Sequence, residues 1–168
     1  GLARRPKKNG RRLLILPRPR LVNVLDLVGS LERMKTGDRK KAFPNFDRDL
    51  AKAVSKDMAA YEGEVMSSVA SRGRGKGVNG TRTRQAFTSY GWTEVRHPYR
   101  AGNPEEFDVF RAFGVERKMT PFASETVTRL AATLGSFAET RETLALLGHG
   151  TVSASKIRSE TLAVGERD

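Results

Sequence analysis

The sequence predicts a mainly α protein with a small antiparallel β-hairpin and a C-terminal three-helix helix-turn-helix. Three observations predict it. "NFDRDLAKAVSKDMAAYEGEVMSSVASRG" carries apolar residues at steps of four and three, the period of a helix. "TRTRQAFTSYGWTEVRHPYR" sets strand formers on both sides of a Tyr-Gly turn. Residues 119–168 interleave helical patterns with stop and start residues.

Residues 1–41 are expected to form a basic arm, partly disordered. "GLARRPKKNGRRLLILPRPR" is rich in Arg and Lys and interrupted by prolines. It reads either as an arm along a phosphate backbone or as a solvated tail. "LVNVLDLVGSLERM" then has apolar residues at 21, 24, 25, 28 and 31, which predicts a short helix.

Residues 42–73 are read as one long amphipathic helix. Its stripe is Phe46, Leu50, Val54, Met58, Tyr61, Val65 and Val69, with Asn45 or Asp47 as the cap and Gly73 past the end. Such a helix needs a partner surface, and a homodimer through residues 46–70 is one way to supply it.

Residues 74–118 comprise a basic Gly-rich loop and the hairpin. "RGRGKGVNGTRTR" has no acid, and its glycines favour a flexible loop. The Gly-Lys-Ser/Thr ending of a nucleotide-binding loop is missing. In the hairpin, Phe87, Trp92, Val95 and Tyr99 are the strand formers, and "EFDVFRAF" is a candidate third strand.

Residues 119–168 form the helix-turn-helix. Thr120-Pro121 opens the first helix, with Phe122, Val127, Leu130, Ala131 and Leu134 inward. Gly135 ends it and Ser136 caps the second, which Phe137, Thr140, Leu144 and Leu147 carry to Gly148. Ser153 caps the third, with Val152, Ile157 and Leu162 inward.

The composition points to a polyanion partner. Net charge is +12 and the pI is about 10.6. The charge is uneven: residues 1–41 hold 13 Lys/Arg against 3 Asp/Glu, while residues 119–168 hold 5 against 6. Phosphate contacts are therefore expected from the arm and from Arg72, Arg74, Lys76, Arg82 and Arg84, with Ser153 at the third helix's start. Base contacts, if the third helix enters the major groove, fall to Ser155, Lys156, Arg158 and Ser159. The alternative for the same three helices is a bundle that binds protein or holds a dimer.

No cysteine is present, so there is no disulfide or thiolate metal site, which suits a reducing cytoplasm. No apolar run reaches the roughly 18 residues of a membrane span. The two histidines, His97 and His149, stand apart and are read as structural or loop residues. Glu105, Glu106 and Asp108 read as a charged loop and not a metal site. No catalytic residues, cofactor or metal are expected.

"TSYGWTEVRHPYR", "GVERKMTPFASETVTRLAATLGSFAETRETLALLG" and "VSASKIRSETLAVG" together resemble the N-terminal region of bacterial insertion-sequence transposases of the ISKra and ISLre groups. The resemblance covers roughly residues 46–166. It implies a region that binds duplex DNA at transposon ends and is non-catalytic by itself. In that family an RNase H-like catalytic domain follows. Many members carry paired cysteines after the hairpin, where this sequence reads "YRAGNPEEFDVF" and has none. Two other readings stand beside it: an RNA-binding protein of ribosomal type, favoured by the pI and the Gly-Arg loop, and a protein-interaction or oligomerisation module.

Overall fold

The computed structural model describes residues 13–72, 80–99 and 108–166. Helices α1 (Val22–Arg33) and α2 (Thr36–Ala42) lead through a 3-10 turn (Phe43–Asn45) into the long α3 (Phe46–Arg72). Strands β1 (Gly80–Thr88) and β2 (Gly91–Tyr99) form an antiparallel hairpin. The short α4 (Val109–Ala112) follows, then α5 (Pro121–Leu134), α6 (Phe137–Leu146) and α7 (Ala154–Gly165), which pack together. The fold is mainly helical with one small hairpin, as the sequence predicts. Residues 13–20 of the expected arm have no regular structure, and residues 1–12 lie outside the described residues.

The hairpin is the wall shared by two cores. Side chains alternate faces along a strand, so Ala86 and Phe87 point opposite ways. Phe87 joins Met119, Ala123, Val127, Ala131, Leu144, Val152 and Ile157 in the core of the C-terminal helices. Ala86 and Val95 join Met66, Ala70, Val109, Phe110 and Val115 in the core beneath α3. The tip is a two-residue loop, Ser89-Tyr90, between the paired Thr88 and Gly91. Thr88 Oγ1 donates to the Gly91 carbonyl and accepts from Tyr90 N–H, which fixes that turn.

The expected stripe on α3 is not its buried face. Val54 is exposed, and Phe46, Leu50, Met58, Tyr61, Val65 and Val69 are only half-buried. The buried positions are Ala53, Asp57, Ala59, Gly63, Met66 and Ala70. The reason is close approach to β2: a Cβ on Gly63 would lie 2.2 Å from Thr93 Oγ1 and 2.6 Å from the Glu94 carbonyl oxygen. Small residues let the helix lie against the strand edge, where Ser67 Oγ accepts from Arg96 N–H at 2.9 Å. That bond satisfies a donor which an edge strand would otherwise leave open. The surface that α3 needs thus comes from its own chain, from β2 and α1. Neither Asn45 nor Asp47 caps α3, because the 3-10 turn runs directly into it with Phe46 in helical conformation.

Helix α1 is capped from other elements. Its own cap position is Leu21, which has no side-chain oxygen to offer. Asp57 of α3 substitutes: its carboxylate accepts from Asn23 N–H (2.9 Å), Asn23 Nδ2 (2.7 Å) and Val24 N–H (3.1 Å). At the other end Arg39 donates to the Leu31 and Glu32 carbonyls at 3.0 and 2.6 Å. Both ends have the charge that a helix dipole favours.

The third strand expected at "EFDVFRAF" does not form in its described part. Asp108 accepts from Phe110 N–H at 3.0 Å and so starts α4 there instead. The β1 edge is met further on. Glu116 and Met119 exchange backbone hydrogen bonds around Arg117 (φ 51°) and Lys118 (φ 63°), and Phe87 bonds to the Lys118 carbonyl and Thr120 N–H. Left-handed backbone at two non-glycine residues costs about 1–2 kcal/mol each, so this turn needs outside support.

The C-terminal caps fall where the sequence places them. Thr120, Ser136 and Ser153 each accept from the N–H three residues on, and Gly135 and Gly148 adopt φ of 69° and 78°. Val127, Ala131, Thr140, Leu144, Val152 and Ile157 are buried. Three residues expected inward are not: Phe122, Leu147 and Leu162 are each more than half exposed. Glu160 takes the buried place on α7, three residues after Ile157, the spacing that keeps two side chains on one helix face.

Candidate nucleic-acid interface

Helix α7 is held by a buried ion pair. Arg117 donates to Glu160 through Nε and Nη2, both at 2.9 Å, and Ser124 Oγ donates to Glu160 at 2.6 Å. Burial would raise the Glu160 pKa. The Arg117 and Ser124 hydrogen bonds and the Arg117 and Lys156 charges outweigh it and hold the carboxyl below its ordinary value. Lys156 Nζ donates to the Arg117 carbonyl. These contacts pin the left-handed Arg117-Lys118 turn against α7.

The turn before α7 is clamped too. Ser55 Oγ of α3 donates to the Gly148 carbonyl. His149 Nδ1 lies 2.6 Å from the Ser89 carbonyl oxygen. Trp92 Nε1 donates to the Thr151 carbonyl at 3.0 Å. Gly150 sits so close to Gly91 that a Cβ would lie 2.4 Å from its Cα. The hairpin tip, α3 and the α6–α7 turn are thus one joint. His149 is a structural turn residue, and Trp92 is 39% exposed, with its ring edge-to-face with Phe87 at 5.2 Å.

On this frame Ser155, Arg158 and Ser159 face solvent on the first turns of α7. Ser159 Oγ donates to the Ser155 carbonyl at 3.0 Å and keeps its acceptor capacity. Arg158 has no hydrogen-bond or ion-pair partner among the described residues. Lys156 is half-buried and directed at Arg117, unlike its neighbours. Ser153 Oγ is occupied as the α7 cap, accepting from Lys156 N–H at 3.1 Å. The connection from α6 to α7, residues 147–153, is longer than the three or four residues of a helix-turn-helix turn.

The phosphate candidates lie elsewhere. Arg82 and Arg84 are exposed on β1, toward the open end of the hairpin. Arg82 precedes Thr88 by six residues, roughly 20 Å of strand, so the α7 group and these arginines lie toward opposite ends. Arg84 is partly committed, 3.1 Å from Asp108 and 3.8 Å above the Phe110 ring. Arg72 ends α3; Arg74 and Lys76 lie outside the described residues. Glu105 and Glu106 do too, and among the described residues no group of three or more His, Asp or Glu could hold a metal ion. No described helix is long and apolar enough to cross a membrane.

Sequence reasoning missed Asp57, Arg117, Ser124 and Glu160. Glu160 left one signal: a carboxylate on the Ile157 face of α7 must find a cation or leave the core. No protein-family model, curated protein or solved structure matches this chain.

Proposed function

We propose that this chain is a duplex-DNA-binding region of transposase type, non-catalytic by itself. The observation that carries the reading is Arg158, exposed and without a partner among the described residues, between Ser155 and Ser159 on a helix whose opposite face is locked by Ile157 and Glu160. A guanidinium held that way can make a paired contact to guanine O6 and N7. The α7 N-terminus favours a phosphate beside it. The basic arm and the hairpin arginines supply electrostatic affinity that carries no sequence information. The resemblance to insertion-sequence transposases makes transposon ends the target.

The test is fluorescence anisotropy with duplexes recovered by site selection, over a salt series. Arg158→Ala should cost roughly 1–3 kcal/mol on the selected site and relax one base position. Equal loss on random duplex would sink the assignment. The arm is tested by replacing Arg4, Arg5, Lys7, Lys8, Arg11 and Arg12 with Gln in the full chain. That set should weaken all duplexes alike and flatten the salt slope. A cut at residue 42 would instead remove α1 and leave Asp57 without its donors. A duplex preference over structured RNA separates this reading from a ribosomal type of RNA binder.

A second reading has its own observation. Leu13, Leu14, Ile15, Val22, Leu25 and Phe43 are each more than half exposed. Contiguous exposed apolar surface marks interaction sites; an interaction module that uses these side chains is the alternative. Sedimentation equilibrium with Leu25→Lys checks self-association, and an unchanged monomer for both chains removes the dimer.

A further inference from the structure

A cleft of about 460 Å³ opens between the C-terminal end of α3, the open end of the hairpin and the incoming arm. Arg20 reaches it from the arm, Arg96 and His97 from β2, Ser68 and Ser71 from α3, and Thr81 from β1. Glu64 is the carboxylate among its lining residues. Neither Arg20 nor Arg96 has a carboxylate partner among the described residues. His97 Nε2 is buried with no hydrogen-bond partner among the described residues. Buried polar atoms are nearly always paired, and one that is not calls for an explanation.

We infer that this cleft binds a phosphate group, as presented by a nucleic-acid backbone. The inference rests on the DNA-binding reading for the source of the phosphate, and on the cleft's own chemistry for the group. Two guanidinium groups offer forked donors that match phosphate oxygens. The hydroxyls of Ser68, Ser71 and Thr81 can add neutral donors. Ser71 Oγ now donates to the Ser68 carbonyl at 2.8 Å, a local bond that it can exchange. His97 Nδ1 lies 3.3 Å from the Pro98 carbonyl oxygen.

The chain has two histidines, so both imidazoles resolve in a carbon–proton NMR spectrum of the untagged full chain labelled at histidine. Inorganic phosphate and then a short DNA duplex are titrated in, with chloride at matched ionic strength as control. The expected result is a saturable shift of His97 with phosphate and with duplex, and no shift of His149. Arg96→Gln should weaken both titrations about tenfold, the effect of losing one charge-assisted bond, and should flatten the duplex salt slope by about one. Arg20→Gln, a change in chain without regular structure, should act the same way if Arg96→Gln fails to fold. Duplex binding with His97 unmoved overturns the cleft and leaves the DNA reading standing. A His97 response to phosphate, with no duplex binding by any probe, supports the cleft and overturns the DNA reading. Equal, unsaturable movement of both histidines overturns the cleft as well.

Discussion

Glu160 and Arg117 stand forty-three residues apart and meet in a two-toothed ion pair, with the Glu160 side chain 1% exposed. The pair joins α7 to a turn whose two central residues are left-handed without being glycine. Removing one member of a buried pair leaves the other charged and desolvated, a loss of about 3–5 kcal/mol. Arg117→Ala should therefore lower stability by that order, measured from urea unfolding. Arg117→Gly removes the same charge but relieves the backbone, and should recover about 1 kcal/mol of it. Equal stability of the two variants would show that the turn carries no strain.

The buried carboxylates set the pH dependence. In Asp57, burial raises the pKa, but the Asn23 backbone and side-chain donors and Val24 N–H outweigh it, and the net shift is downward from 3.8. Glu160 shifts downward from 4.5 for similar reasons. Depressed carboxyls add stability above their unfolded values and lose it as pH falls through their folded ones. Glu62 runs the other way. Burial raises it, so its contribution is full in acid and lost as pH rises through the raised value. Urea midpoints should therefore fall steeply below about pH 4.5. Glu160→Gln should flatten that fall. Glu62→Gln should raise the midpoint at pH 7 while leaving the acid limb in place. Parallel pH curves for wild type and Glu160→Gln would contradict the assignment.

What could be read from the chain was local. Thr120, Ser136 and Ser153 cap helices through bonds that span three residues, and the Tyr-Gly turn sits between strands that it joins directly. Each signal lies within a few positions of its effect. The α3 stripe failed because burial there depends on how near β2 comes, and Gly63 admits a closer approach than Val65 or Tyr61 would. The described part of "EFDVFRAF" is not a strand because the Asp108 cap favoured a helical turn over strand pairing. The joint at His149 and Ser89 spans sixty positions and has no local mark. For the candidate interface, Arg158 and the two serines were legible from helix phase, whereas the cleft at His97 required elements from three parts of the chain.

Asp57 makes α1 depend on α3. Its carboxylate does the work of a cap residue for a helix that starts at Val22 behind an apolar Leu21. Loss of a cap costs about 0.5–2 kcal/mol. Asp57→Ala should fray the start of α1 with little effect on α5–α7, and Asp57→Asn should keep part of the bond set. Amide exchange checks this. Asn23 and Val24 should lose protection, while Ile157 and Val127 keep theirs. Uniform loss of protection across the chain would mean that α1 is needed for the whole fold.

Gly150 governs how the α6–α7 turn seats on the hairpin. Its φ is +79°, and a Cβ there would lie 2.4 Å from Gly91 Cα and 3.2 Å from Gly91 N, backbone atoms that cannot swing aside. Gly135 also has a positive φ, +69°, but its Cβ direction is open. The two glycines therefore separate conformation from contact. Gly135→Ala should cost about 1–2 kcal/mol, the left-handed penalty alone. Gly150→Ala should cost that plus about 1–3 kcal/mol of overpacking. The joint should also open, breaking the Trp92–Thr151 and His149–Ser89 bonds. Trp92 is the chain's single tryptophan, so its emission should shift in Gly150→Ala and stay fixed in Gly135→Ala. If α7 reads duplex sequence only when held by this joint, Gly150→Ala should lose affinity for the selected site and keep affinity for random duplex. Loss on both to the same extent would place the joint's role in stability alone.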